Sequence, residues 1–177
     1  PLGLPLAWGG PYLGFMAAAQ PHMRKLPGRI VGETTDSRGE RAFVLTMQAR
    51  EQHIRREKAS SNVCSNEALC ALTASIYLSL MGRSGLRQVG EQSHAKAHYL
   101  AEALCQIPGV SLRYPGPFFH EFVTDLPQPR KVLSALEEQG ILGGWVLGDG
   151  LLWCATEKQT KEQLDEAVSI VKEVLGK

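Results

Sequence analysis

No lysine precedes Lys25 in this chain of 177 residues, and several other features are missing as well. There is no charge excess: 19 Lys and Arg face 18 Asp and Glu, a net of +1. A chain so balanced carries no strong field toward nucleic acid or an anionic membrane. No apolar run reads as long enough to span a bilayer. The first residues lack a basic segment, and Gly and Pro interrupt their apolar stretch, which excludes a signal peptide. Only four cysteines occur, Cys64, Cys70, Cys105 and Cys154, with no CxxC pair and no histidine at zinc-site spacing. They read as buried free thiols of a reducing, cytoplasmic compartment. His94 and His98 are four apart, but no HExxH is present. Together with His120 they have no carboxylate or cysteine partner at metal spacing, so all three read as surface histidines and no metal is expected. Glu121 reads as the start of a strand. There is no internal repeat and no low-complexity segment. The chain opens on Pro1 rather than Met, in apolar, Gly/Pro-rich sequence. It reads as the C-terminal piece of a longer protein.

What is present divides into two patterns. The first is short and strand-like. Residues 11–19 read as a strand and 24–28 as a Pro-containing turn. Residues 29–33 and 41–48 read as a β-hairpin turned by Ser37-Arg38-Gly39, with Phe43, Leu45 and Met47 alternating against Val44, Thr46 and Gln48. A polar, charged stretch, 49–66, follows. A helix then runs from about Ser65 to Met81, with Leu69, Leu72, Ile76 and Leu80 on one face, and Gly82 ends it.

The second pattern is richer in helix. A helix spans about Leu86–Ile107, with Leu86, Val89, Ala97, Leu100, Ala101 and Leu104 inward, until Pro108-Gly109 stops it. Strands are expected over 110–114, 121–126 and 151–156, and a short helix over 131–139 closed by Gly140. Thr160–Leu175 is the clearest helix. Thr160 with Gln163 makes a capping box, and Leu164, Ala167, Val168, Val171 and Leu175 make the inward stripe. Antiparallel strands covered on one face by helices form an α+β sandwich. Residues after about Gly85 can bury a core of their own, whereas those before it look like edge pieces of a larger domain.

Three stretches carry chemistry. In the first, PLAWGGPYLGFMAA, Gly9 and Gly10 lack a Cβ and permit close backbone approach. As a bare pattern this is a structural turn. The second, RKLPGRIVGETTD, places Arg29 in a turn, where an arginine ordinarily faces solvent. The third, QAREQHIRREKASSNVCSN, holds Arg50, His53, Arg55, Arg56 and Lys58 against only Glu51 and Glu57. Such a cluster is ordinarily a solvated face. Followed by Ser60-Ser61-Asn62 and a helix start, it is also an arrangement that can hold an anion. RNA is disfavoured as that anion by the net charge and by the lack of interleaved aromatics. Neither Lys25 nor Lys58 has the setting a Schiff-base lysine needs.

Together these stretches resemble the first-subunit, N-terminal-half type of the glycine cleavage system P-protein family, glycine dehydrogenase (decarboxylating). The likeness is close over the first half of the chain and weaker beyond it. It implies an α/β fold of the aspartate-aminotransferase-like kind, fold type I of the pyridoxal-phosphate enzymes. Residues 1–84 would be the end of the large domain with a linking helix, and 85–177 a small α+β C-terminal domain. It also implies that pyridoxal 5'-phosphate is held covalently by a lysine of the partner, glycine dehydrogenase subunit 2, so that no catalytic lysine is expected here. The reaction implied is glycine decarboxylation with transfer of the aminomethyl group to the lipoyl arm of H protein, without nucleic acid or membrane as partner. Gly9, Gly10, Arg29, Arg50, His53, Arg55, Arg56, Lys58, Ser61 and Asn62 become candidates for the cofactor pocket or the subunit interface. The alternative is a scaffold subunit that shapes the heterodimer and docks the lipoyl carrier.

Overall fold

The computed structural model of the chain describes residues 2–4, 13–46, 52–59 and 67–176. The chain divides into two units, Pro1–Leu80 and Met81–Lys177.

In the first unit, strands β1 (Ile30–Thr35) and β2 (Arg41–Thr46) pair antiparallel, with Ile30 opposite Thr46 and Thr35 opposite Arg41. The hairpin is closed by an aspartate. The Asp36 carboxylate accepts the backbone N–H groups of Arg38 at 2.8 Å and Glu40 at 3.0 Å, and Gly39 takes the left-handed conformation the turn demands, φ +80. Those backbone donors hold the Asp36 carboxyl below its ordinary range. Both faces of the hairpin are open: Val31, Phe43, Val44 and Leu45 are all exposed.

The strand expected over 11–19 is not formed where it can be seen. Residues 13–19 are irregular and almost wholly exposed, and residues 11 and 12 lie outside the described set. A strand needs a ladder partner, and among the described residues the hairpin offers none to this segment. The chain instead runs into a 3-10 helix, Gln20–Lys25, entered through Pro21. After the hairpin come the single-turn helix α1 (Gln52–Arg55) and a 3-10 turn, Arg56–Lys58.

Helix α2 (Ala68–Cys105) is longer than either helix expected from the pattern. Helical backbone continues on both sides of one break at Gly82, φ 59 and ψ −176, a conformation essentially confined to glycine. The glycine expected to end the first helix does so: two helices meet at this kink. As one element, α2 also contains an 18-residue window of mean hydropathy 1.2, long and apolar enough to cross a membrane by length and composition. The predicted stripe before the break is real but not covered: Leu69, Leu72, Ile76 and Leu80 are 77%, 57%, 53% and 82% exposed.

The second unit is built around an antiparallel sheet of four strands, β3 (Ser111–Leu112), β4 (Glu121–Asp125), β5 (Trp145–Leu147) and β6 (Gly150–Cys154), in the order β3-β4-β6-β5. Helices α3 (Pro129–Glu138) and α4 (Lys161–Leu175) complete it. Ala97, Leu100, Ala101 and Leu104 of α2 enter one core with Val132 and Leu136 of α3, Leu164, Ala167 and Val171 of α4, and Phe122, Leu151 and Trp153 of the sheet. One polar bond crosses it. The Trp153 indole N–H donates to the Thr124 hydroxyl at 2.8 Å, both residues being buried, so neither polar group is left unpaired. The capping box at Thr160 forms as the sequence predicts, with both its hydrogen bonds present.

Strand β5 escapes the sequence pattern. It is three residues long, Trp145 is 70% exposed, and two glycines precede it. The thiols also differ from expectation. Cys70 and Cys105 are half-buried and Cys154 is exposed, while Cys64 lies outside the described residues.

Candidate functional site

The basic run is held on two tight turns. His53 and Arg55 sit on α1, and Arg56 and Lys58 on the 3-10 turn that follows it. Arg56 is a non-glycine residue at φ +52, a conformation uncommon for a long side chain. It opens the 3-10 turn, and four basic side chains fall within the six residues 53–58. His53, Arg55, Arg56 and Lys58 are all exposed, as is Arg29, which lies between Gly28 (φ +77) and the first residue of β1. Among the described residues none of these five groups enters an ion pair. By contrast, Arg38, Arg41, Arg87, Arg113 and Lys161 each meet a carboxylate. Among the described residues the cluster is thus a basic run with no carboxylate ion-paired to it, suited to an anion or to an acidic surface.

No hydrogen bond or ion pair joins Arg29 to the cluster among the described residues. The candidates Gly9, Gly10, Arg50, Ser61 and Asn62 lie outside the described set, as do Ser60 and the expected start of the following helix at Ser65.

Pyridoxal phosphate requires a phosphate cup, a platform for its ring and a desolvated lysine. The described residues do not supply these. Lys25 and Lys58 are both exposed at the ends of 3-10 segments, and the cluster lies open to solvent rather than in a cleft.

The second unit carries polar groups that spacing alone does not reveal. His98 is not a surface histidine. Its ring stacks on Phe118 at 4.0 Å and on His94 at 4.1 Å, and its Nε2 lies 3.1 Å from the Phe118 carbonyl oxygen. His120 is half-buried, and its Nδ1 is buried without a hydrogen-bond partner. Donor atoms of His120, Glu121 and Cys154 lie within 4.8 Å of one another. Desolvation first, and the neighbouring Glu121 charge second, push the Cys154 thiol above its ordinary value. Glu121 and Cys154 border a hollow of about 660 Å³ together with Trp145, Leu152, Gln163 and Glu166. The only sequence signal for this cluster is the His120-Glu121 pair at a strand start. Cys154 joins it through strand register, which sequence spacing does not show.

The family described as Glycine cleavage system P-protein matches residues 1–171 of the chain. "Probable glycine dehydrogenase (decarboxylating) subunit 1" of Chlorobium limicola is 53% identical over 173 residues, which is 95% of this chain and 39% of that protein. The chain therefore spans about two fifths of the length of that relative. A crystal structure of glycine decarboxylase (P-protein) of the glycine cleavage system, in inhibitor-bound form, superposes with a TM-score of 0.90 at 44% identity, covering 98% of this chain and 41% of that one. A C-DES mutant with glycine covalently linked to its PLP cofactor superposes with a TM-score of 0.52 at 16% identity, over 79% of this chain and 35% of that one. At that identity the likeness is one of fold.

Proposed function

The chain belongs to the glycine cleavage system P-protein family, and from that premise we propose that it is part of the first subunit of a cytoplasmic, pyridoxal-phosphate-dependent glycine decarboxylase. Residues 1–84 would supply the end of the large domain with a linking helix, and 85–177 the small domain. The cofactor would be held by a lysine of the second subunit, as the likeness to the first-subunit type implies. When bound there, pyridoxal phosphate supplies the electron sink for decarboxylation. The acceptor of the aminomethyl group would be the lipoyl arm of H protein.

The observation that carries the proposal is the set of exposed cations Arg55, Arg56 and Lys58, which meet no carboxylate among the described residues, in a chain of this family. Their role would be to bind an anionic group at the subunit interface, either on a ligand or on the partner. A charge-assisted contact closed off from water by a partner is worth on the order of 2–5 kcal/mol on truncation. Replacing Arg55 and Arg56 with Ala in the full-length protein, assembled with its second subunit, should therefore lower glycine–bicarbonate exchange tenfold or more and leave the melting temperature nearly unchanged. Wild-type exchange in the double variant would remove the cluster from the site. A collapsed melting temperature would make it structural.

The scaffold reading is supported by a different feature. The open row of Leu69, Leu72, Ile76 and Leu80 and the two bare faces of the hairpin suit a chain that is covered by other protein. If that is the whole role, the double variant would keep its exchange activity once assembled.

A further inference from the structure

The ladder between β4 and β6 sets Glu121 directly opposite Cys154. Residues paired this way share one face of the sheet with their Cβ atoms roughly 5 Å apart. His120 stands one residue before β4, and its carbonyl accepts the Ala155 N–H at 3.1 Å, which continues the ladder past the Glu121–Cys154 pair. The backbone under all three side chains is therefore fixed by hydrogen bonds. One imidazole nitrogen, one carboxylate oxygen and one sulfur come within 4.8 Å of each other at this end of the sheet.

Two further features mark the cluster. His120 Nδ1 is buried and makes no hydrogen bond; a buried polar atom is normally satisfied. Phe119 meets the His120 ring edge-on at 4.8 Å, limiting its rotation.

We propose that His120, Glu121 and Cys154 form a binding site for a divalent transition-metal ion of the zinc class. Imidazole, carboxylate and thiolate are the donors zinc takes, whereas calcium and magnesium take oxygen. Three protein donors leave a fourth position for water or an added ligand. Zinc bonds of about 2.0–2.3 Å in a tetrahedron space their donors by roughly 3.5 Å, so the side chains close by about 1 Å on binding. Glu121 and Cys154 are exposed and have room to rotate. Coordination would deprotonate the Cys154 thiol, and its proton would pass to solvent. Bound there, it would tie the end of β4 to the end of β6. The site lies within one unit of the chain and does not depend on the decarboxylase reading.

The test is cobalt(II) and zinc(II) binding to the full chain, stripped with a chelator and kept reduced without thiols. One equivalent of cobalt should produce a thiolate-to-cobalt charge-transfer band that zinc abolishes, and zinc should raise the melting temperature. Cys154→Ser should remove both effects, and His120→Ala should weaken zinc binding at least tenfold with native near-ultraviolet circular dichroism. Glu121→Gln, at an exposed position, should fold in any case and weaken zinc binding several-fold. Absence of the band at stoichiometric cobalt would overturn the proposal. So would a band that survives Cys154→Ser, which would place the metal on another cysteine, or unchanged zinc affinity in Glu121→Gln.

Discussion

Glycines carry much of the specificity at the scale of single residues, and they do so for different reasons. Gly144 has φ +125, and a Cβ there would lie 2.0 Å from the Leu152 backbone carbonyl oxygen. Backbone cannot give way as a side-chain tip can, so overpacking of about 1–3 kcal/mol adds to a similar cost for the backbone conformation. Gly140 has φ +75 with nothing within 4 Å of its Cβ position, so alanine there meets only the left-handed penalty, about 1–2 kcal/mol. Urea denaturation should place Gly144→Ala about 2 kcal/mol below Gly140→Ala in stability. Equal losses would mean that the β5 approach is looser than described. The sequence announces Gly140 as a helix stop, because it follows an apolar-periodic run. Gly144 announces nothing: its constraint comes from β6, a strand that lies beyond the next turn.

At the scale of elements, local rules account for α4 and for the break in α2 but fail for β5. The Thr160 hydroxyl accepts the Gln163 N–H, while the Gln163 side chain accepts the Thr160 N–H at 2.9 Å. Both partners lie within one turn, so the helix start is legible from four residues. Thr160→Ala should cost about 1 kcal/mol, measured as a shift in the urea midpoint without change in slope. A loss well under half that would show that the packing of Leu164, Ala167 and Val171 alone holds the helix start. Strand β5 has no such local signature, since three residues cannot establish an alternation and its stability comes from pairing with β6. In α2 the periodicity is legible on both sides of Gly82, but periodicity reports only which residues share a face. It does not report whether that face is covered, and before the break it is open.

For the molecule as a whole, the two units differ in how they are held. The second has a continuous core of buried residues drawn from three helices and a sheet. In the first, only Leu4 and Ala74 are buried hydrophobics among the described residues. A chain segment without a core of its own opens readily. Trypsin should therefore cut the chain at Arg55, Arg56 or Lys58, all exposed on one-turn elements, before any site in α2 beyond Gly82. A recombinant 81–177 chain should melt cooperatively. First cleavage at Arg87 or Lys96, or a non-cooperative melt of 81–177, would show that the second unit depends on the first.

By itself the sequence determined what depends on neighbours in the chain. That includes the hairpin turn at Ser37-Arg38-Gly39, the stop at Pro108-Gly109, the capping box and stripe of α4, and the inward face of α2 from Ala97 to Leu104. It also carried the likeness to the P-protein family, which rests on runs of consecutive residues and holds over residues 1–171. Tertiary structure alone decided what depends on residues far apart in the chain: the order β3-β4-β6-β5, the exposure of Leu69, Leu72, Ile76 and Leu80, and the stacking of His98 on Phe118. It alone brought Cys154 to His120 and Glu121. A pairing register joins residues more than thirty positions apart, and no period or spacing in the intervening chain encodes which residues will face each other.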